Sequence, residues 1–195
     1  MSTNQELHER ILNRLQEGLD PNLTYHNADH TRRIVKHAER LAAIEGCEGR
    51  DLELLRTAAL FHDTGFLNGL EDHEKKSCAI ARDELGKEDF SEEEVSAICR
   101  MIMATRIPQG PSTLPEKLLA DADLFYLGTD RYDEIANLLW LELKHFNPDL
   151  TEVAWLDIQI KFLTGHYYHT DYCVKVLEPI KQTHLMRLES LKKEA

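Results

Sequence analysis

The chain has 195 residues, 42% of them hydrophobic, with 23 Lys and Arg against 35 Asp and Glu. That length makes one well-cored domain and is short for two. The net charge of −12 repels phosphate backbones and anionic lipid, so neither a nucleic-acid duplex nor a membrane surface is an expected partner, although a bound dication would reverse the local field for a small phosphorylated substrate.

The N-terminal run from Met1 to Glu6 has no basic start and no apolar stretch, so no secretory signal is expected, and no segment is apolar enough to span a bilayer. Along the chain, apolar residues recur at helical spacing. Leu7, Ile11 and Leu15 form the first stripe, Ile34, Ala38 and Leu41 the second, and Leu52, Leu55, Ala59 and Leu60 the third. Val95, Ile98, Cys99 and Ile102 follow, then Leu118, Leu119, Ala122 and Phe125. The series ends with Leu138, Leu141 and His145, with Val153, Ile160 and Leu163, and with Val174, Leu177, Leu185 and Leu188. Ser91 with Glu94 and Thr113 with Glu116 have capping-box spacing and open two of these stripes. Breaks fall at Asp20-Pro21, Gly46 to Gly49, Gly65 to Gly69, Pro108 to Pro115, Gly128 and Pro148. No alternating strand pattern competes. The expected fold is all-α, one domain over residues 1–195 with roughly eight or nine helices. Trp140 and Trp155 carry no motif and are expected in the core. The four cysteines, Cys47, Cys78, Cys99 and Cys173, form no CxxC pair, as expected of reduced thiols in a cytoplasmic protein.

Three short segments carry the chemistry. They are Tyr25-His26-Asn27-Ala28-Asp29-His30, His62-Asp63, and Asp121 in Ala120-Asp121-Ala122-Asp123-Leu124. His30, His62, Asp63 and Asp121 make a set of two imidazoles and two carboxylates that suits a divalent metal. A carboxylate in the apolar run around Asp121 needs a partner, and a cation is the obvious one. His26 precedes His30 by four residues; if that stretch is helical the two share a face. Asn27 or Asp29 then caps the helix.

His30, His62-Asp63 and Asp121 resemble the ordered H…HD…D signature of the HD-domain metal-dependent phosphohydrolases, over about residues 20–130. The resemblance implies an all-α fold around divalent ions, with residues 131–195 as a helical extension. It implies hydrolysis of a phosphomonoester or phosphodiester, often of a nucleotide. It also makes His30, His62, Asp63 and Asp121 the metal ligands. The run Tyr25 to His30 resembles, more locally, the YHNxxH run of cyclic-nucleotide phosphodiesterases, which implies His30 as ligand and His26 as the acid that protonates the leaving oxygen. Asp63 would help hold or deprotonate the attacking water.

One ion is expected (Mn, Fe, Mg, Co, Ni or Zn), because only His73 stands ready to extend the set and residues 99–106 contain no histidine. Asp72, Glu74 or His73 could serve a second metal or orient a first ligand. Arg33, Arg106, Lys161 and His166 are candidate substrate contacts, with Arg32 and His169 beside them. Homo-oligomers are compatible with all of this. Two other readings share the signature: a regulatory module that binds metal or nucleotide without turnover, and a di-iron oxygenase, which needs more ligands than this chain offers.

Overall fold

A computed structural model describes residues 3–194. Among them the chain forms nine α-helices and no strand. The helices are α1 (Thr3–Gly18), α2 (Ala28–Glu45), α3 (Gly49–Phe61), α4 (His73–Leu85), α5 (Glu92–Ala104), α6 (Leu114–Asp123), α7 (Tyr132–Phe146), α8 (Glu152–Gly165) and α9 (Glu178–Glu194). Two 3₁₀ turns, Thr64–Asn68 and Phe125–Gly128, follow α3 and α6, and a π-helical turn, Cys173–Leu177, leads into α9.

The helix starts are set by side-chain chemistry. Asn27 accepts hydrogen bonds from the Asp29 and His30 amides and caps α2. Both expected capping boxes form, Ser91 with Glu94 on α5 and Thr113 with Glu116 on α6. Each satisfies backbone donors that the first helical turn leaves unpaired. Gly46, at φ 75°, closes α2 in the left-handed conformation that glycine adopts without a Cβ penalty.

Helix α4 follows none of the expected stripes. It is charged, and it buries only Ser77, Ile80, Ala81, Leu85 and Glu74. Close backbone approach seats it: the Gly65 amide donates to Ser77 Oγ at 2.8 Å. A Cβ on Gly65 would stand 1.9 Å from the His73 carbonyl oxygen.

The core lies between α2, α3, α5 and α6. Helix α2 packs on α3 and α6, and α5 packs on α3, α4 and α6. Leu41, Leu55, Ile98, Ile102, Leu118 and Leu119 are fully buried there, each worth roughly 1.5–3 kcal/mol of transfer free energy. In the C-terminal third, α7 and α9 rest on the Phe125–Gly128 turn and α8 on α9. Leu163, Leu177, Leu185 and Leu188 are buried as the stripes require, but Leu141, Val153 and Val174 are 47, 61 and 49% exposed. These helices cover one side of the core, so their apolar stripes are wider than the face they bury. Trp155 and Trp140 are half-buried and pack together, ring centroids 5.9 Å apart, rather than entering the core. Among the described residues no helix is long and apolar enough to cross a membrane.

The mutual packing of α2, α3 and α6 brings three helix ends to one place. His30 lies in the first turn of α2, His62-Asp63 directly after α3, and Asp123 is the last residue of α6.

Candidate active site

His62 is fully buried, and its Nδ1 stands 2.8 Å from the Ala59 carbonyl oxygen. The proton on Nδ1 therefore donates to that carbonyl, and Nε2 presents a lone pair. Facing it are His30 Nε2 at 3.2 Å, Asp63 Oδ2 at 3.1 Å and Asp123 Oδ1 at 3.5 Å. His30 Nε2 lies 3.3 Å from Asp63 Oδ2 and 3.2 Å from Asp123 Oδ1. His30, His62 and Asp123 offer ligand atoms all within 4.8 Å of one another. Asp63 Oδ2 is buried without a hydrogen-bond partner. Lone pairs crowded this closely in a dry place demand positive charge. Without a metal, His62 meets part of that demand: burial pushes its pKa down, yet Asp63 and Asp123 raise it well above the usual imidazole range. Burial likewise pushes Asp63 up, and His62 and His30 pull it well below the carboxylate range.

The fourth donor corrects the expectation drawn from the sequence. Asp123 stands at the cluster and Asp121 does not. The Asp121 carboxylate is fully buried and turned the other way. It accepts from the His169 amide at 2.9 Å, the Thr170 amide at 2.8 Å and the Thr170 hydroxyl at 2.7 Å. The cation expected beside it is replaced by three neutral donors, which anchor the segment between α8 and α9 onto α6. Residues two apart on a helix point about 200° apart, so only one of the two carboxylates can face α2 and α3.

His26 also reaches the site by a different route. It precedes the helix instead of sharing a face with His30, because Asn27 is the cap. Glu142, on α7, aims it. One carboxylate oxygen accepts from the Tyr25 and His26 amides at 2.9 and 3.0 Å, and the other pairs with His26 Nδ1. The ring stacks on Phe66 at a centroid distance of 4.4 Å, and His73 stacks against the same Phe66 at 4.2 Å. Burial lowers the His26 pKa, but the bond to Glu142 and the charge of Asp63 outweigh it, so the net shift is upward from the ordinary imidazole value. Glu142 was not among the sequence candidates. Its trace in the sequence is a single acidic residue between Leu141 and Leu143.

These groups open onto a cavity of about 200 Å³. Its floor is His26, Asp63, His73 and Asp123, and its walls include Tyr126, Leu143, Trp155 and Phe162. His73 Nε2 lies 3.6 Å from Asp63 Oδ1 and from Glu74, so it stands beside the cluster. Asp72 and Arg106 pair with each other at the surface at 3.1 Å and stay out of the site. Arg32 pairs with Asp29, also at the surface. Arg33 lies behind the cluster, in a crevice of about 10 Å³ with His30, His37 and Asp123, and its Nη2 is buried without a partner. Lys161 and His166 line a separate, larger cavity.

The HD domain family model matches residues 27–126 of the chain. Comparison with curated proteins finds no match. Three crystal structures share the fold over nearly the whole chain. A "predicted HD superfamily hydrolase" from an uncultured Thermotogales bacterium is 20% identical with a TM-score of 0.63, over 97% of this chain and 91% of that one. The Lin1889 protein of Listeria innocua is 17% identical with a TM-score of 0.64, over 97 and 98%. Bacillus subtilis YpgQ in complex with ADP is 19% identical with a TM-score of 0.60, over 99 and 97%. At these identities the likeness is one of fold.

Proposed function

The chain belongs to the HD domain family, and from that premise we propose that it is a metal-dependent phosphohydrolase that cleaves a phosphomonoester or phosphodiester of a nucleotide. The observation that carries this reading is the cluster of His30, His62 and Asp123, with Asp63 Oδ2 close to both imidazoles and buried without a hydrogen-bond partner, at a cavity that Asp63 and Asp123 line. Two imidazole nitrogens and two carboxylates suit a single borderline divalent ion, and these four residues would hold it. Bound there, the ion supplies Lewis acidity toward phosphoryl oxygens and a more acidic water.

The chain's own residues do the rest. Asp63 Oδ1, on the cavity side beside His73, takes the proton that the attacking water loses. His26, kept protonated by Glu142, donates from Nε2 to the leaving oxygen as the P–O bond breaks. Glu142 holds the imidazole in that orientation through its contacts with Nδ1 and with the Tyr25 and His26 amides. The apolar walls exclude bulk water and strengthen each of these interactions. The His26–Glu142 pair favours turnover over a purely regulatory module, since a binding site has no use for an oriented proton donor. The nucleotide part of the reading draws on the aromatic walls and on the ADP bound by a protein of the same fold.

The test is turnover by metal-reconstituted protein of a panel containing cyclic nucleotides, nucleoside monophosphates, nucleotide pyrophosphates and a nitrophenyl phosphodiester. Hydrolysis of at least one, abolished by a chelator, is expected. Protein that binds metal stoichiometrically and turns over none of them would end the proposal.

A further inference from the structure

The cavity at the metal cluster, about 200 Å³, is smaller than the roughly 300–1,000 Å³ that small-molecule sites usually occupy. A second cavity of about 620 Å³ adjoins it and shares Ile107, Ile158 and Phe162 as walls. Three of its apolar residues are open to solvent: Ile107, Ile158 and Tyr167 are 53, 42 and 71% exposed. Exposed apolar side chains gathered around one concavity mark a binding surface more often than scattered ones do.

One polar group in this wall is unusual. His166 is buried, and its Nε2 has no hydrogen-bond partner. Its protonation is set by Lys181, which is itself fully buried. The Lys181 ammonium has three protons and three acceptors: the His166 carbonyl at 2.5 Å, Glu178 at 3.0 Å and His166 Nδ1 at 3.3 Å. Nδ1 therefore accepts, and the ring proton sits on Nε2 as an unused donor. Burial and the neighbouring lysine push the His166 pKa down to about 3, so the ring stays neutral. An unpaired buried donor is costly unless something fills the demand. The Lys161 ammonium and the Tyr167 hydroxyl line the exposed side of the cavity. Gln109 donates to the Ala120 carbonyl at 2.9 Å and faces His169 Nε2 at 3.3 Å. Asp121 fixes the backbone of His169 and Thr170, and with it this wall.

We infer that this second cavity binds the heterocyclic base of the substrate, a planar ring laid between Phe162 and Tyr167 with an acceptor atom toward His166 Nε2. Flat apolar walls suit a neutral aromatic ring, and the one buried unpaired donor among the lining residues selects a ring nitrogen or carbonyl oxygen. The inference rests on the phosphohydrolase reading only for where the phosphate lies; the cavity and its donor exist independently of the metal.

The test is therefore binding of phosphate-free nucleosides (adenosine, guanosine, cytidine and uridine) to metal-free protein, followed by saturation-transfer NMR and titration. Two variants interrogate the cavity. His166→Phe keeps a ring and removes the donor. Gly165→Phe adds bulk at a wall position where a Cβ meets no atom within 4 Å and which does not line the metal cavity. Saturable binding of at least one nucleoside is expected, weakened about 3- to 10-fold in His166→Phe and by more than about 10-fold in Gly165→Phe. Turnover of a base-free nitrophenyl phosphodiester should be unchanged in Gly165→Phe. If His166→Phe does not fold, judged by its thermal transition, Gly165→Phe alone decides. Absence of nucleoside binding, or binding that Gly165→Phe leaves unchanged, overturns the inference. Nucleoside binding without turnover of any phosphoester would instead overturn the phosphohydrolase reading and leave the base site standing.

Discussion

Asp121 and Asp123 stand two residues apart on one helix, and truncating each should produce a different failure. In Asp121→Ala three donors lose their acceptor: the part-buried His169 amide and the buried Thr170 amide and hydroxyl. Each stranded donor costs roughly 1–3 kcal/mol, and water entering the vacated space relieves part of it. The expected loss is about 3–5 kcal/mol. For a chain of this size, each kcal/mol moves Tm by about 2–4 °C, so Tm should fall by about 6–20 °C. Manganese should still stabilise this variant, because His30, His62, Asp63 and Asp123 remain. In Asp123→Ala the opposite holds. With free Mn²⁺ at about a hundredfold excess over Kd, the wild-type protein gains about 2.7 kcal/mol, or roughly 5–11 °C in Tm. The variant should show a flat response, with a metal-free Tm close to wild type. Scanning calorimetry with and without Mn²⁺ reads both quantities from the same samples. If Asp121→Ala loses the manganese response while keeping its metal-free Tm, and Asp123→Ala does the reverse, the assignment of the fourth donor is wrong.

His26→Ala should retain the manganese response and lower kcat by roughly 10²–10⁴-fold on an alkyl phosphoester. With a nitrophenol leaving group the loss should shrink, and an equal loss on both would remove the proton-donor role. Glu142→Gln should shift the alkaline limb of the kcat profile to lower pH, because the raised His26 pKa depends first on that carboxylate among the groups that raise it; an unmoved limb would mean that His26 does not set it. The same pair has a stability signature. The His26 contribution is fully present below about pH 6.5 and is lost as pH rises through the raised folded pKa. The Glu142 contribution, from a lowered pKa, is present above about pH 4.3 and is lost as pH falls through the folded value. Urea titrations across this range should show the wild-type margin over Glu142→Gln greatest between those limits. Gly65→Ala should destabilise by about 3 kcal/mol, since its Cβ would meet the backbone of α4; a midpoint within error of wild type in urea would show that α4 can move aside.

The all-α architecture was legible in the sequence because helical periodicity and capping are local. The stripes from Leu7 to Leu188, and the pairs Ser91/Glu94 and Thr113/Glu116, specify helices whatever they pack against. The ordered histidines and aspartates were legible for a similar reason: few arrangements other than a metal site place His30, His62 and Asp63 on apolar helical elements. Helix α4 was not, because its seat is a backbone approach at Gly65 and not an apolar face. The choice between Asp121 and Asp123 was not legible either. Both flank the same apolar run, and the run does not say which side of α6 meets α2 and α3 and which meets the segment before α9. Glu142 lies 116 residues from His26 in the chain, and no local pattern ties one to the other. The sequence by itself determined the secondary structure and the kinds of donor available. Tertiary packing alone decided which carboxylate faces the cluster, which one anchors a wall, and what aims the proton donor. Side-chain direction at a helix end depends on the neighbours that surround it, and those neighbours come from distant parts of the chain.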